Sequence, residues 1–180
     1  TGGTRGLGLA TAIYLSKLNW NLILIDISKK ASSVYSESKN INEVKKKLLN
    51  KNIVDFYFGD LSNEKEINNI FKKIKKKYNK IDGLVTFAGG DIIGKDKMAS
   101  GGKAKNNNLF INSKYFKTIF NRNFYSTYHT IKNCIPIMKK NLSGKIVTIS
   151  SILATFGTEY EFAYSSSKSN IVHLTRATAS

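Results

Sequence analysis

The segment Thr1-Gly2-Gly3-Thr4-Arg5-Gly6-Leu7-Gly8 constrains this chain more than any other. Glycine is demanded where a turn needs positive φ, or where backbone must approach a diphosphate closely. A helix opened by such a loop offers free N–H groups and a positive dipole end to an anion. Taken alone, the pattern is equally an ordinary turn. Its context adds weight. Leu9, Ala12 and Ile13, with Leu15 or Leu18 near the end, predict an amphipathic helix over 6–18. A buried strand over 21–26 follows and ends in Asp26. Asp26 lies near the ~20-residue separation expected of an acid that accepts hydrogen bonds from the ribose of NAD. A carboxylate there repels the 2′-phosphate of NADP, whereas Arg5 could pair with it. NAD is the favoured reading, and the bland reading of Asp26 is a strand-end residue that starts a turn.

The same alternation continues along the chain. Ile41, Val44, Leu48 and Leu49 make the stripe of a second helix, and 53–58 is a strand ending at Gly59-Asp60. Ser62 is a plausible N-cap for a helix whose face is Ile67, Ile70, Phe71, Ile74 and Tyr78. Residues 83–87 form a strand ending in Ala88-Gly89-Gly90, and 90–112 read as a long polar surface loop. A long helix over about 113–140, bent near Pro136, leads to a strand over 145–150 and a final helix. Strands alternating with helices predict an α/β fold with a doubly wound parallel sheet in three α/β/α layers. One domain over 1–180 is expected from the length. The glycine loop at the first residue and a helical pattern at the last suggest a piece of a longer protein, incomplete at both ends.

The formal net charge is +17. That invites a nucleic-acid reading. The lysines, however, fall in Lys45-Lys46-Lys47, Lys72-Lys73 and Lys75-Lys76-Lys77, without interleaved aromatic residues for base stacking. They are read as solvated helix faces, and no nucleic-acid partner is expected. A single cysteine, Cys134, excludes an internal disulfide and fits a reducing, cytoplasmic compartment. No apolar run approaches the ~20 residues of a membrane span, so no membrane partner is expected. No His/Cys/Asp cluster has metal-ligand spacing.

The Thr-Gly-x-x-x-Gly-x-Gly spacing, together with Tyr164-Ser165-Ser166-Ser167-Lys168, resembles the short-chain dehydrogenase/reductase family over essentially the whole chain. Further motifs fall in order. Asp60-Leu61 matches the pair after the family's third strand, whose aspartate contacts adenine. Ala88-Gly89 matches the end of an Asn-Asn-Ala-Gly motif, but Thr86 and Phe87 replace its asparagines. That departure puts the motif's sheet-stabilising hydrogen bonds in doubt. Asn123 matches the asparagine of the catalytic site, with Asn121 the alternative register, and Ser151 matches the catalytic serine.

The resemblance implies a Rossmann-like domain with a cofactor site built by Gly2, Thr4, Arg5, Gly6, Leu7, Gly8, Asp26, Asp60, Leu61, Ala88 and Gly89. Tyr164, Lys168, Ser151 and Asn123 would be catalytic, with Tyr164 and Lys168 also touching cofactor. It implies hydride transfer between NAD, or less favoured NADP, and an alcohol or carbonyl compound. A 3-oxoacyl thioester on an acidic carrier, a sugar or polyol, and a cyclic alcohol are the open substrate classes. Asn123 would hold a water that links Lys168 to solvent, and the complete protein would be a homodimer or homotetramer.

The residue chemistry agrees with that implication. Residues i and i+4 share a helix face, so Tyr164 and Lys168 project together. A neighbouring ammonium is expected to lower the phenol's pKa from about 10 toward the working range of an acid/base. Leu153, Phe156 and Tyr160 lie where the family lines its substrate pocket. His129 and His173 are read as structural, Cys134 as a packed apolar group, and Trp20 and Phe56 as core. The competing readings are a dinucleotide-sensing module without catalysis and a basic nucleic-acid binder.

Overall fold

The computed structural model describes residues 1–48, 53–93 and 102–179. Helix α1 (Gly6–Lys17) follows the glycine loop directly and leads to strand β1 (Leu22–Asp26). Then come α2 (Ile41–Lys47), β2 (Val54–Phe58), α3 (Glu64–Lys77) and β3 (Gly83–Thr86). The second half carries α4 (Ser113–Phe120), a π-helical turn (Asn121–Tyr125), α5 (Ser126–Lys140), β4 (Lys145–Thr148) and α6 (Phe162–Ala179). Leu49, assigned above to the second helix stripe, lies outside the described residues.

Both strand pairs, β1–β2 and β3–β4, are parallel. They form two two-stranded ladders of the parallel α/β arrangement expected. Residues 1–3 run between them. Gly2 N–H donates to Ile25 O at 2.8 Å, and Thr1 O accepts from Phe87 N–H at 3.1 Å. The glycine loop is thus anchored to the ends of β1 and β3 at once.

The strand alternation sorts side chains onto two faces. Leu22 and Leu24 pack with Leu9 and Ala12 of α1 and with Val44 and Leu48. Ile23 and Ile25 face the other way, against Ile67, Ile70, Phe71 and Ile74 of α3 and Cys134, Ile137 and Met138 of α5. Helices therefore cover both faces of β1, giving the three layers expected. Helix α3 shows why its sequence is helical. Its four buried residues fall on one stripe, and each is worth about 1.5–3 kcal/mol when fully buried. Glu64 and Glu66 sit in the first turn and Lys75, Lys76 and Lys77 in the last, matching the helix dipole. Asn63, not Ser62, is its N-cap, accepting from Lys65 N at 3.0 Å and Glu66 N at 3.3 Å. Ser62 instead donates to Asp60 Oδ1.

Three further expectations change. The long helix runs over 113–140 as expected, but it carries a π turn around Asn123, and Pro136 sits inside α5. Trp20, expected in the core, is 45% exposed in the turn that follows α1. The described end of the polar loop, 102–112, is packed. Ala104 and Ile111 are buried against Ile119 and Ala163, and Asn107 is buried with them. Short apolar residues scattered among lysines and asparagines carry no periodicity, so that packing was hidden. The lysine triplets at 45–47 and 75–77 are exposed, as expected.

Candidate active site

A cleft of about 540 Å³ opens where the glycine loop, the C-terminal ends of β1, β2 and β3, and helix α6 meet. Gly2, Arg5, Gly6, Leu7 and Gly8 line one end, with Asp26, Asp60 and Leu61 beside them. Ala88, Gly89, Tyr164 and Lys168 line the other. This is where open α/β sheets place their ligands. The loop geometry fits a dinucleotide. Gly2 and Gly6 have positive φ, +61° and +54°. A Cβ on Gly8 would lie 2.1 Å from Gly2 O, so loop and helix could not approach as closely. Gly6 faces open space. A guanidinium nitrogen of Arg5, Nη1, is buried with no hydrogen-bond partner among the described residues, and such a donor suits an anionic ligand.

Thr4 does not line the cleft. It is fully buried, and both its N–H and Oγ1 donate to Asp26 Oδ2, at 3.1 and 2.6 Å. Asp26 Oδ1 accepts from Ile27 N–H at 2.8 Å. These bonds hold the carboxylate charge at the cleft wall. Asp60 is anchored likewise, its Oδ1 accepting from both N–H and Oγ of Ser62. Two contacts had no signal in the sequence, because they come from an irregular segment. Tyr35 lies under the Arg5 guanidinium, 5.1 Å from ring centroid to Cζ, and lines the cleft. Glu37 Oε2 accepts from Gly6 N–H at 2.6 Å.

At the other end, Tyr164 and Lys168 share one face of α6, with Nζ 5.5 Å from the ring centroid. The Lys168 side chain is buried and donates to Ile149 O at 2.7 Å. Burial pulls its pKa down to about 8. Tyr164 departs from the expectation that an ammonium would lower its pKa. Burial pushes the phenol up, with Glu161 and Asp91 adding to the rise. Ser151 and Lys103 act downward. Lys168 is engaged by a backbone carbonyl and lies over the ring. Ser151 Oγ also accepts from Leu153 N–H at 3.3 Å.

Asn123 is fully buried within the π turn. Its amide clamps Gly90 in both directions and donates to Ile119 O at 2.8 Å. The side chain is thus committed to backbone. The asparagine replacements have a visible consequence. Thr86 is buried, and its Oγ1 has no hydrogen-bond partner among the described residues. Phe87 turns into the cleft wall. Of the expected substrate-side residues, Phe156 and Tyr160 are exposed, and none of Leu153, Phe156 and Tyr160 lines the main cleft. His129 is buried against Tyr125 and Tyr128, and Cys134 is a buried thiol pushed up to about 11 by burial. Among the described residues no helix is long and apolar enough to cross a membrane.

The chain is 25% identical over 180 residues to the 3-oxoacyl-acyl-carrier-protein reductase of Thermotoga maritima, covering 99% of this chain and 65% of that protein. It is 31% identical over 183 residues to the 3-hydroxyacyl-CoA dehydrogenase type-2 of Drosophila melanogaster, covering 97% and 64%. It thus spans slightly under two thirds of the length of these curated relatives. A short-chain type dehydrogenase/reductase from Mycobacterium ulcerans has the same fold, with a TM-score of 0.79 at 20% identity over 99% of this chain and 59% of that one. The family model described as short chain dehydrogenase matches residues 1–180. With its glycine loop and its Tyr164–Lys168 pair facing one cleft, this chain belongs to the short chain dehydrogenase family.

Proposed function

We propose that the complete protein is a nicotinamide-dependent oxidoreductase that interconverts an alcohol and its carbonyl compound, with Tyr164 as the acid/base. The observation that carries this reading is that the glycine loop and the Tyr164–Lys168 pair line one continuous cleft. The bound cofactor would supply the hydride acceptor or donor. Leu7 and Gly8 would receive its diphosphate at the start of α1, joined by Gly6 N–H once Glu37 releases it. Tyr164 Oη would take the alcohol proton in oxidation and return it to the carbonyl oxygen in reduction. Ser151, which acts to lower the phenol's pKa, would hold the substrate oxygen beside it. Lys168 would turn from Ile149 O to the nicotinamide ribose, and Asn123 would fix the Gly89-Gly90 wall of the pocket.

NAD is the favoured cofactor because two carboxylates, Asp26 and Glu37, stand near the glycine loop. Together they oppose the 2′-phosphate that Arg5 alone would attract. A 3-oxoacyl or 3-hydroxyacyl thioester is the favoured substrate, supported by the names of both curated relatives. The complete protein is read as a homodimer or homotetramer, supported by the family and by the ring ladder Phe120, Phe124, Tyr125 and Tyr128 along α4 and α5.

The test is Tyr164→Phe in the full-length protein, assayed with NAD and NADP against a panel of hydroxyacyl thioesters, polyols and cyclic alcohols. Nearly all turnover should vanish while cofactor binding persists. Turnover near the wild-type rate would overturn the mechanism.

A further inference from the structure

The packed end of the polar segment after β3 brings charge to the active tyrosine. Asp91 directly follows the Gly89-Gly90 wall, and its side chain is only 7% exposed. Both its oxygens accept from Asn107 Nδ2, at 2.9 and 3.0 Å. Lys103 Nζ lies 3.6 Å from Asp91 Oδ2 and is also ion-paired with Glu161. Glu161 sits in the turn that opens α6, in a left-handed conformation with φ +60°. The same segment holds that turn by a second bond, Phe162 N–H to Asn107 O at 3.2 Å. Ala104 and Ile111 pack in one cluster with Ala163 and Tyr164. An acid, a base and an acid therefore form a latch one helical turn from the phenol, joining the cofactor-side wall to the tyrosine helix.

We propose that the Asp91–Lys103–Glu161 latch sets the pH range in which Tyr164 exchanges its proton, with Lys103 as a positioning residue that screens the two carboxylates. This rests on the acid/base reading of Tyr164. Among the described residues, the charged and polar groups around the phenol come from four segments and the tyrosine's own helix. Lys168 comes from its own helix, Ser151 from the segment after β4, and Glu161 from the turn before α6. Asp91 and Lys103 come from the segment after β3. Arg122 of the π turn lines the cleft and donates to Ile92 O. Of these, Asp91 and Glu161 favour the neutral phenol and Lys103 opposes them. Asp91 is itself raised, mainly by burial, and Lys103 is raised by its bond to Glu161.

The experiment is carbon NMR of ζ-labelled tyrosine in the full-length protein, with the Tyr164 line assigned by its loss in Tyr164→Phe. Asp91→Asn and Glu161→Gln should move the Tyr164 titration midpoint to lower pH. Lys103→Met should move it to higher pH. Each shift should be roughly half a unit or more, as for one partly screened charge. Opposite signs are the diagnostic outcome, because a merely structural latch would lower the melting temperature in all three variants and leave their midpoints together. Midpoints that coincide with wild type overturn the proposal. Lys103 is mostly exposed, so Lys103→Met and Glu161→Gln carry the test should Asp91→Asn not fold. Turnover with unmoved midpoints would remove the latch alone. Opposite shifts in a protein with no turnover would leave the latch in place and remove the oxidoreductase reading.

Discussion

Asn123 and Gly90 hold each other by two hydrogen bonds: Gly90 N–H donates to Asn123 Oδ1 at 2.9 Å, and Asn123 Nδ2 donates to Gly90 O at 3.0 Å. A side-chain amide here completes backbone pairing as a neighbouring strand would. Asn123→Ala should strand both groups of Gly90 beside a buried helix. The cost should be about 2–4 kcal/mol, since each buried unsatisfied group loses ~1–3 kcal/mol. Denaturant unfolding of the full-length protein measures it, and a change below ~1 kcal/mol would show that the clamp is dispensable.

Lys168 has a pKa of about 8 in the fold because it is buried. Its unfolded value is about 10.4. Between these values the unfolded chain binds more protons, so stability should rise with pH from about 8 to about 10. The rise from this group is at most about 3 kcal/mol. Tyr164 acts later and in reverse, because an acid with a raised pKa loses its contribution as pH climbs above ~10. Lys168→Met should flatten the rise between pH 8 and 10 in melts of the full-length protein. An unchanged slope would mean that Lys168 is not the titrating group.

Gly8 is too close to Gly2 for any side chain. Gly8→Ala should force the cofactor loop away from α1 and weaken dinucleotide binding at least tenfold, ~1.4 kcal/mol. Isothermal titration with NAD gives the number, and unaltered affinity would place the dinucleotide elsewhere.

Asp26 is locked in place by Thr4. Asp26→Ser should raise the affinity for NADP relative to NAD by about tenfold, as removal of one repelling charge allows. Thr4→Val should shift the same ratio more weakly, because it loosens the carboxylate without deleting it. If titrations with both cofactors gave an unaltered ratio for Asp26→Ser, the NAD assignment would lose its basis.

Much of the site could be read in advance, for local reasons. Gly2, Gly6 and Gly8 are needed by backbone geometry within a few residues, and Tyr164 and Lys168 by one turn of helix. Asp26 was visible because a strand's end is marked by where its apolar run stops. Tyr35, Glu37, Asp91, Lys103 and Asn107 were not visible. They lie in segments without periodicity, and their partners are fixed by how distant elements pack. Ser62 and Asn63 compete for one N-cap, and only the turn at Asp60 decides between them.

The sequence alone determined the alternation of strands and helices, the glycine loop and the placing of Tyr164 and Lys168 on one helix face, because each depends on short-range spacing. The tertiary structure decided the environment of that pair. It spent Lys168 on Ile149 O, half-buried the phenol, and brought Asp91 and Glu161 toward Tyr164 from positions that the chain leaves far apart or unremarkable. A proton's affinity depends on burial and on every nearby charge. Neither can be read from a motif until the chain has folded around it.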